Sequence, residues 1–197
     1  MSLVGIIKTV HGVAVFGDSK SSVLEKGVLK PNPSKEYVKK VFRGQNLIFS
    51  TSGVNQVFYK YSSWHLDDLI EKNILPNKDV TPENFMDYMQ KLFSEASIDN
   101  DIYFHVGYIE NEKYEAFTGC LHSDKSYTIE GSISNDFGAA WSGDTRVVPP
   151  LFDIRRDMEM DEVKGFINNY MNHVIAIGDL LLDYCPIGGD VLVETLP

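Results

Sequence analysis

The sequence predicts an α+β domain in which two antiparallel sheets stack face to face between outer helices, a four-layer αββα sandwich. Three observations carry this expectation. The opening runs Leu3 to Ile7 and Val13 to Phe16 are apolar without alternation, so their strands need cover on both faces. Segments beginning near Gly53, Thr81 and Met160 repeat apolar residues every three or four positions, the mark of helices with one apolar face. The strands between them are joined by turns too short for crossover helices, which makes them antiparallel. Stacking sheet on sheet with helices outside buries all these faces at once.

Taken in order, Leu3 to Ile7 and Val13 to Phe16 form a hairpin around Val10-His11-Gly12 and end at Gly17-Asp18. Ser19 to Ser34 is small, polar and Pro-containing, a loop with one short strand at most. Tyr37 to Phe42 and Leu47 to Ser50 pair around the turn Arg43-Gly44-Gln45-Asn46. Val54, Val57, Phe58, Tyr61, His65, Leu66, Leu69 and Ile70 then follow helical spacing. Leu75-Pro76 to Val80 is a connector. Thr81-Pro82 opens a helix to about Ala96, with Thr81 as N-cap and Pro82 at the first helical position. Strands follow at Ile102 to Ile109, Tyr114 to Thr118 and Tyr127 to Glu130. Gly131 to Pro150 is irregular, with a short helix expected near Phe137 to Trp141. A long amphipathic helix starts at Met160, and the turn Cys185 to Gly189 leads into a closing strand, Asp190 to Glu194.

With 197 residues, 43% of them hydrophobic, the chain can bury one sizeable core, so residues 1–197 are expected to be a single domain. The formal charge of −10 argues against nucleic acid or anionic lipid as a main partner, because phosphate binding needs clustered Lys and Arg. Cys120 and Cys185 are too few for a disulfide framework and lack the Cys/His spacing of a zinc site, which fits a reducing cytoplasm. The N-terminus has no basic n-region, and no run reaches the roughly 20 apolar residues that span a bilayer. His11, His65, His105, His122 and His173 show no ligand motif, and no phosphate-binding Gly loop exists. Neither a metal nor another cofactor is expected.

Val4-Gly5-Ile6 through His11-Gly12-Val13-Ala14-Val15-Phe16-Gly17-Asp18 resembles the opening of proteasome β subunits and of the bacterial peptidase HslV. If Met1 is removed, Ser2 becomes the first residue and Asp18 the seventeenth, the spacing found in that N-terminal nucleophile (Ntn) hydrolase family. Lys39-Lys40-Val41 and Phe49-Ser50-Thr51-Ser52-Gly53 are similar to its Lys-bearing strand and Gly-ended strand, with Lys39 and Lys40 competing for the site position. Tyr127 to Ser132 resembles the strand leading to a Gly-Ser-Gly turn, and Met160 to Glu194 the last helix, Asp-containing turn and closing strand.

The resemblance implies an amide-bond hydrolase acting on peptides or small amides, assembled as a homo-oligomeric ring. Ser2 would supply the attacking hydroxyl, and its α-amine, titrating near pH 7.7 to 8.0, the base. Lys40 would lower the pKa of both groups, Asp18 would hold Lys40, Gly53 would offer an oxyanion-hole N–H, and Ser132 and Asp183 would complete the site. Plainer readings stand beside each role. Met1-Ser2 is equally an ordinary start or a vector remnant, Lys40 a solvated charge, Asp18 a strand-end turn residue and Gly53 a helix-start glycine. Two departures, Ser where the family keeps Thr and Pro186 where it keeps Ser, favour the alternative of an inactive assembly or binding module.

Overall fold

A computed structural model describes residues 2–73, 80–133, 135–143 and 154–197. In order the elements are β1 (Leu3–Thr9), β2 (Gly12–Asp18), β3 (Ser22–Glu25), β4 (Val28–Pro31), β5 (Val41–Arg43) and β6 (Leu47–Ser52). Then come β7 (Gln56–Tyr59), β8 (Ser62–His65), α1 (Leu66–Lys72), α2 (Pro82–Leu92), β9 (Ala96–Ser97) and β10 (Ile102–Glu110). The chain ends with β11 (Lys113–Leu121), β12 (Tyr127–Ser132), β13 (Gly138–Gly143), α3 (Met160–Leu181) and β14 (Val191–Leu196). This is a mixed α/β fold built on antiparallel sheets and few helices.

Four strands make one sheet in the order β13-β1-β2-β14, and five make another in the order β12-β11-β10-β6-β5. Every residue of β1 and β2 is buried, which is why their sequences are apolar on both faces. Leu3, Ile7, Ala14 and Phe16 pack with Val163, Ile167, Met171 and Val174 of α3. From the opposite face of the same strands, Ile6, Val13 and Val15 meet Val41, Ile48 and Ala116 of the second sheet. The outer face of that sheet carries the largest core, where Phe49, Phe104 and Phe117 surround Phe85 of α2 edge-on at ring distances of 5.3, 5.6 and 5.8 Å. Such pairs add about 0.5–1.5 kcal/mol each beyond the area they bury.

Local signals fix several boundaries. Thr81 caps α2 by accepting a hydrogen bond from Asn84 N–H at 3.2 Å, with Pro82 at the first position. Glu159 and Glu162 form a reciprocal capping box at the start of α3.

Two helix expectations are corrected. The segment expected to be helical from Val54 to Ile70 is a hairpin, β7 and β8, with only Leu66–Lys72 helical. Its turn residues Lys60 and Tyr61 both take positive φ, 46° and 67°, and in a hairpin Val57 is buried while Phe58 faces out, a period of two that the apolar spacing concealed. The short helix expected near Phe137 to Trp141 is instead β13, which completes its hydrogen bonding against β1. The loop at Ser19 to Ser34 contains the β3–β4 ribbon, and Tyr37 to Lys40 are outside any strand except for an isolated bridge from Tyr37 to Lys20. Most of the connector after Leu75 lies outside the described residues.

Candidate active site

The register of the first hairpin brings the end of β2 back beside the start of β1, Val4 pairing with Gly17. Asp18, fully buried there, turns its carboxylate on the chain's own beginning. Oδ1 accepts from Leu3 N–H at 2.8 Å, and Oδ2 from Lys20 N–H at 3.1 Å, Gly188 N–H at 3.3 Å and Lys40 Nζ at 3.0 Å. A carboxylate can be buried only when paired and hydrogen-bonded, and these four donors meet that requirement. Since Leu3 N is bonded to the Ser2 carbonyl carbon, Ser2 Cα lies within about 5 Å of the carboxylate.

Lys40, 3% exposed, also donates to Lys20 O at 2.6 Å. Burial lowers its pKa from 10.5, while the charge of Asp18 and the hydrogen bond to it act in the opposite direction. Lys39 points elsewhere, its Nζ 2.8 Å from Glu71 on an exposed face, so Lys40 is the lysine that meets Asp18. Ser2 is buried beside them at 4% exposure. Gly53 closes β6 with φ of +116°, and a Cβ there would sit 2.1 Å from Asp101 O, so both conformation and space require glycine.

Two expected members are not brought to this cluster. Ser132 ends the edge strand β12 and is exposed. The carbonyl of the next residue, Ile133, accepts from Lys8, which lies about 20 Å along β1 from Ser2. Asp183 is exposed at the end of α3, and it is Gly188 of the following turn that reaches Asp18. Ser134 lies outside the described residues. Cys185 is buried and its thiol donates to Ile187 O at 3.1 Å.

The structure adds a group that the sequence did not announce. β13 runs antiparallel to β1 with Gly143 opposite Leu3 and Ser142 opposite Val4, which places Ser142 at the N-terminal end of β1. Ser142 Oγ is 2.8 Å from Ser52 Oγ and 2.9 Å from His105 Nε2, so a hydroxyl chain bridges the two sheets. His105 is buried, its Nδ1 has no partner among the described residues, and burial lowers its pKa to about 4. Held neutral, it shares one hydrogen bond with Ser142, and Ser142 shares another with Ser52, the directions following the imidazole tautomer. Ser52 in turn lines a small recess with Lys40, Thr51 and Val54. The visible signal was Trp141-Ser142-Gly143, a Ser-Gly pair closing a strand, as Ser52-Gly53 does.

A much larger groove of about 610 Å³, lined by Tyr37, Lys39, Lys164 and Asp190 among others, holds neither Ser2 nor Lys40. The cluster around Asp18 is the better candidate, because it gathers a buried ion pair, which the groove does not.

No family model matches the chain, and no curated protein does. Among solved structures it is similar to a Gly-1 mutant of Anbu from Hyphomicrobium sp. strain MC1, with a TM-score of 0.61 and 14% identity. The match covers 98% of this chain and 80% of that one. The likeness is one of fold. At this identity it reaches no further. The expected membership of the proteasome β-subunit and HslV family is therefore corrected: neither a family model nor a curated relative stands behind the resemblance in the opening hairpin and closing strand, and the structural likeness is one of fold alone. Among the described residues no helix is long and apolar enough to cross a membrane.

Proposed function

We propose that the chain is an amide-bond hydrolase that uses an N-terminal serine, Ser2 exposed by removal of Met1, within a four-layer αββα sandwich. The observation that carries this reading is the buried Asp18 carboxylate joining Leu3 N–H to Lys40 Nζ, which ties a cation and the start of β1 to one point. The three apolar cores support the layering. In the reaction the α-amine takes the proton as Ser2 Oγ attacks the amide carbonyl carbon, and the oxyanion accepts from Gly53 N–H. Collapse of the intermediate breaks the C–N bond, the departing amine takes the proton back, and an ester to Ser2 remains. Water, deprotonated by the same α-amine, then releases the acid. Lys40 favours the deprotonated form of both Ser2 groups. Peptides and small amides are the substrate class.

The test is covalent. An electrophilic peptide inhibitor should add one equivalent to Ser2 of natively expressed protein lacking Met1, and none to the Ser2→Ala variant, as read by intact-mass and peptide mass spectrometry. Full retention of Met1 removes the free amine and sinks the mechanism. The second reading, a non-catalytic assembly or binding module, is favoured by the 4% exposure of Ser2, and it predicts no adduct.

Homo-oligomeric assembly belongs to the same proposal. Ile177, Leu180 and Leu181 stand exposed together at the end of α3, Leu180 at 83%, an apolar cluster that an interface would cover. Light scattering should give a mass several times that of the chain, and a 22.2 kDa species at micromolar concentration would refute assembly.

A further inference from the structure

We propose that Asp101, Cys120 and His122 form a zinc site at the edge of the five-stranded sheet, with the fourth position open to solvent. Cys120 and His122 are two residues apart at the end of β11, so both project from the same face of the sheet. Asp101 immediately precedes β10, whose pairing of Ile102 with Leu121 and Tyr103 with Cys120 carries it alongside. His122 Nδ1 is 3.1 Å from Asp101 Oδ2 and 3.6 Å from Cys120 Sγ, and the three ligand atoms all lie within 4.8 Å of one another.

Two of these separations are close to the edges of a tetrahedron around zinc, the N–O one a few tenths of an ångström short. Bond lengths of about 2.3 Å to sulfur and about 2.0–2.1 Å to nitrogen or oxygen give edges of about 3.4 Å between N and O and about 3.6 Å between N and S. The donors fit the ion as well, since a thiolate, an imidazole and a carboxylate together select zinc over the harder magnesium and calcium. The far side of the ring is already engaged: His122 Nε2 lies 3.2 Å from Thr128 Oγ1, which orients the imidazole with its Nδ1 edge toward the other two groups. Asp101 Oδ1 is held in turn by Ser123 N–H at 3.1 Å. Cys120 is buried, while the His122 and Asp101 side chains are 32% and 36% exposed, so an ion can reach the three groups from solvent.

The sequence hid this site because Cys120-Leu121-His122 supplies only two ligands at an uncommon spacing, and the third arrives from another strand. It does not depend on the hydrolase reading.

The probe is zinc alone, added to the full chain after chelator treatment. Titration calorimetry should show one equivalent bound per chain, and zinc should raise the thermal midpoint. Cobalt(II) in its place should give a thiolate-to-cobalt charge-transfer band that Cys120→Ser abolishes and Cys185→Ser retains. His122→Gln and Asp101→Asn, at partly exposed positions where the fold should survive, should each remove stoichiometric uptake, and Thr128→Val should weaken affinity about 10- to 100-fold. Absence of stoichiometric uptake by the wild type, or uptake that survives His122→Gln and Asp101→Asn, would overturn the site and leave a metal-free hydrogen-bonded network in its place.

Discussion

Replacing Asp18 with alanine should lower unfolding stability by about 3–5 kcal/mol, the cost of leaving one member of a buried ion pair uncompensated. Lys40 has a side-chain exposure of 4% and Asp18 of 0%, so water cannot take over the lost partner. The same change orphans the N–H groups of Leu3 and Gly188, while Lys20 N–H keeps Gly188 O at 2.9 Å, so desolvation cost is added at two backbone donors. An Asp18→Asn, Lys40→Met double variant removes both charges and keeps an acceptor for the amides, so it should be more stable than Asp18→Ala. Urea unfolding of the wild type and the two variants checks this. A loss below about 1 kcal/mol for Asp18→Ala would mean that the pair is hydrated and that the site lacks the rigidity assigned to it.

Acidification should destabilise the protein through His105. Its folded pKa of about 4 lies below the unfolded value of 6.5, so the unfolded chain binds the proton more readily between those limits. The contribution is therefore fully present above pH 6.5, where the ring is neutral in both states, and is lost as pH falls toward 4. The loss is at most about 3 kcal/mol for a shift of this size. His105→Gln keeps a donor for Ser142 and cannot titrate. The stability difference between wild type and this variant should narrow or reverse by that amount from pH 7 to pH 4, measured by urea unfolding at each pH. Parallel profiles would show that His105 does not carry the acid sensitivity.

Both predictions concern buried polar groups, and these differ in how far the sequence revealed them. The Ser2 to Asp18 relation entered through the family resemblance, and the local hairpin register sets the start of β1 beside the end of β2. Lys40 was visible only as one of two adjacent lysines. Neighbours on an extended backbone point in opposite directions, so the surroundings decided between them: Glu71 receives Lys39 and Asp18 receives Lys40. Ser142 was hidden by the mistaken helix near Phe137 to Trp141. Helix and strand are nearly degenerate for Gly138-Ala139-Ala140, and the unpaired edge of β1 resolved the choice. The hairpin at Gln56 to His65 was missed for a related reason, since apolar spacing of three and four coincided by chance with strand alternation.

By itself, then, the sequence determined the mixture of antiparallel strands and helices, the opening hairpin, the cap of α2 and the long α3. These depend on patterns within a few turns or one hairpin, where backbone geometry leaves few choices. Tertiary structure alone decided which side chains meet: Lys40 at Asp18, Ser142 between Ser52 and His105, and Asp101 beside Cys120 and His122. The physical reason is that hydrogen-bond and ligand geometry acts over about 3 Å, while the groups concerned stand on different strands. Only the pairing of those strands, driven by burial of the apolar faces between the sheets, brings them within reach.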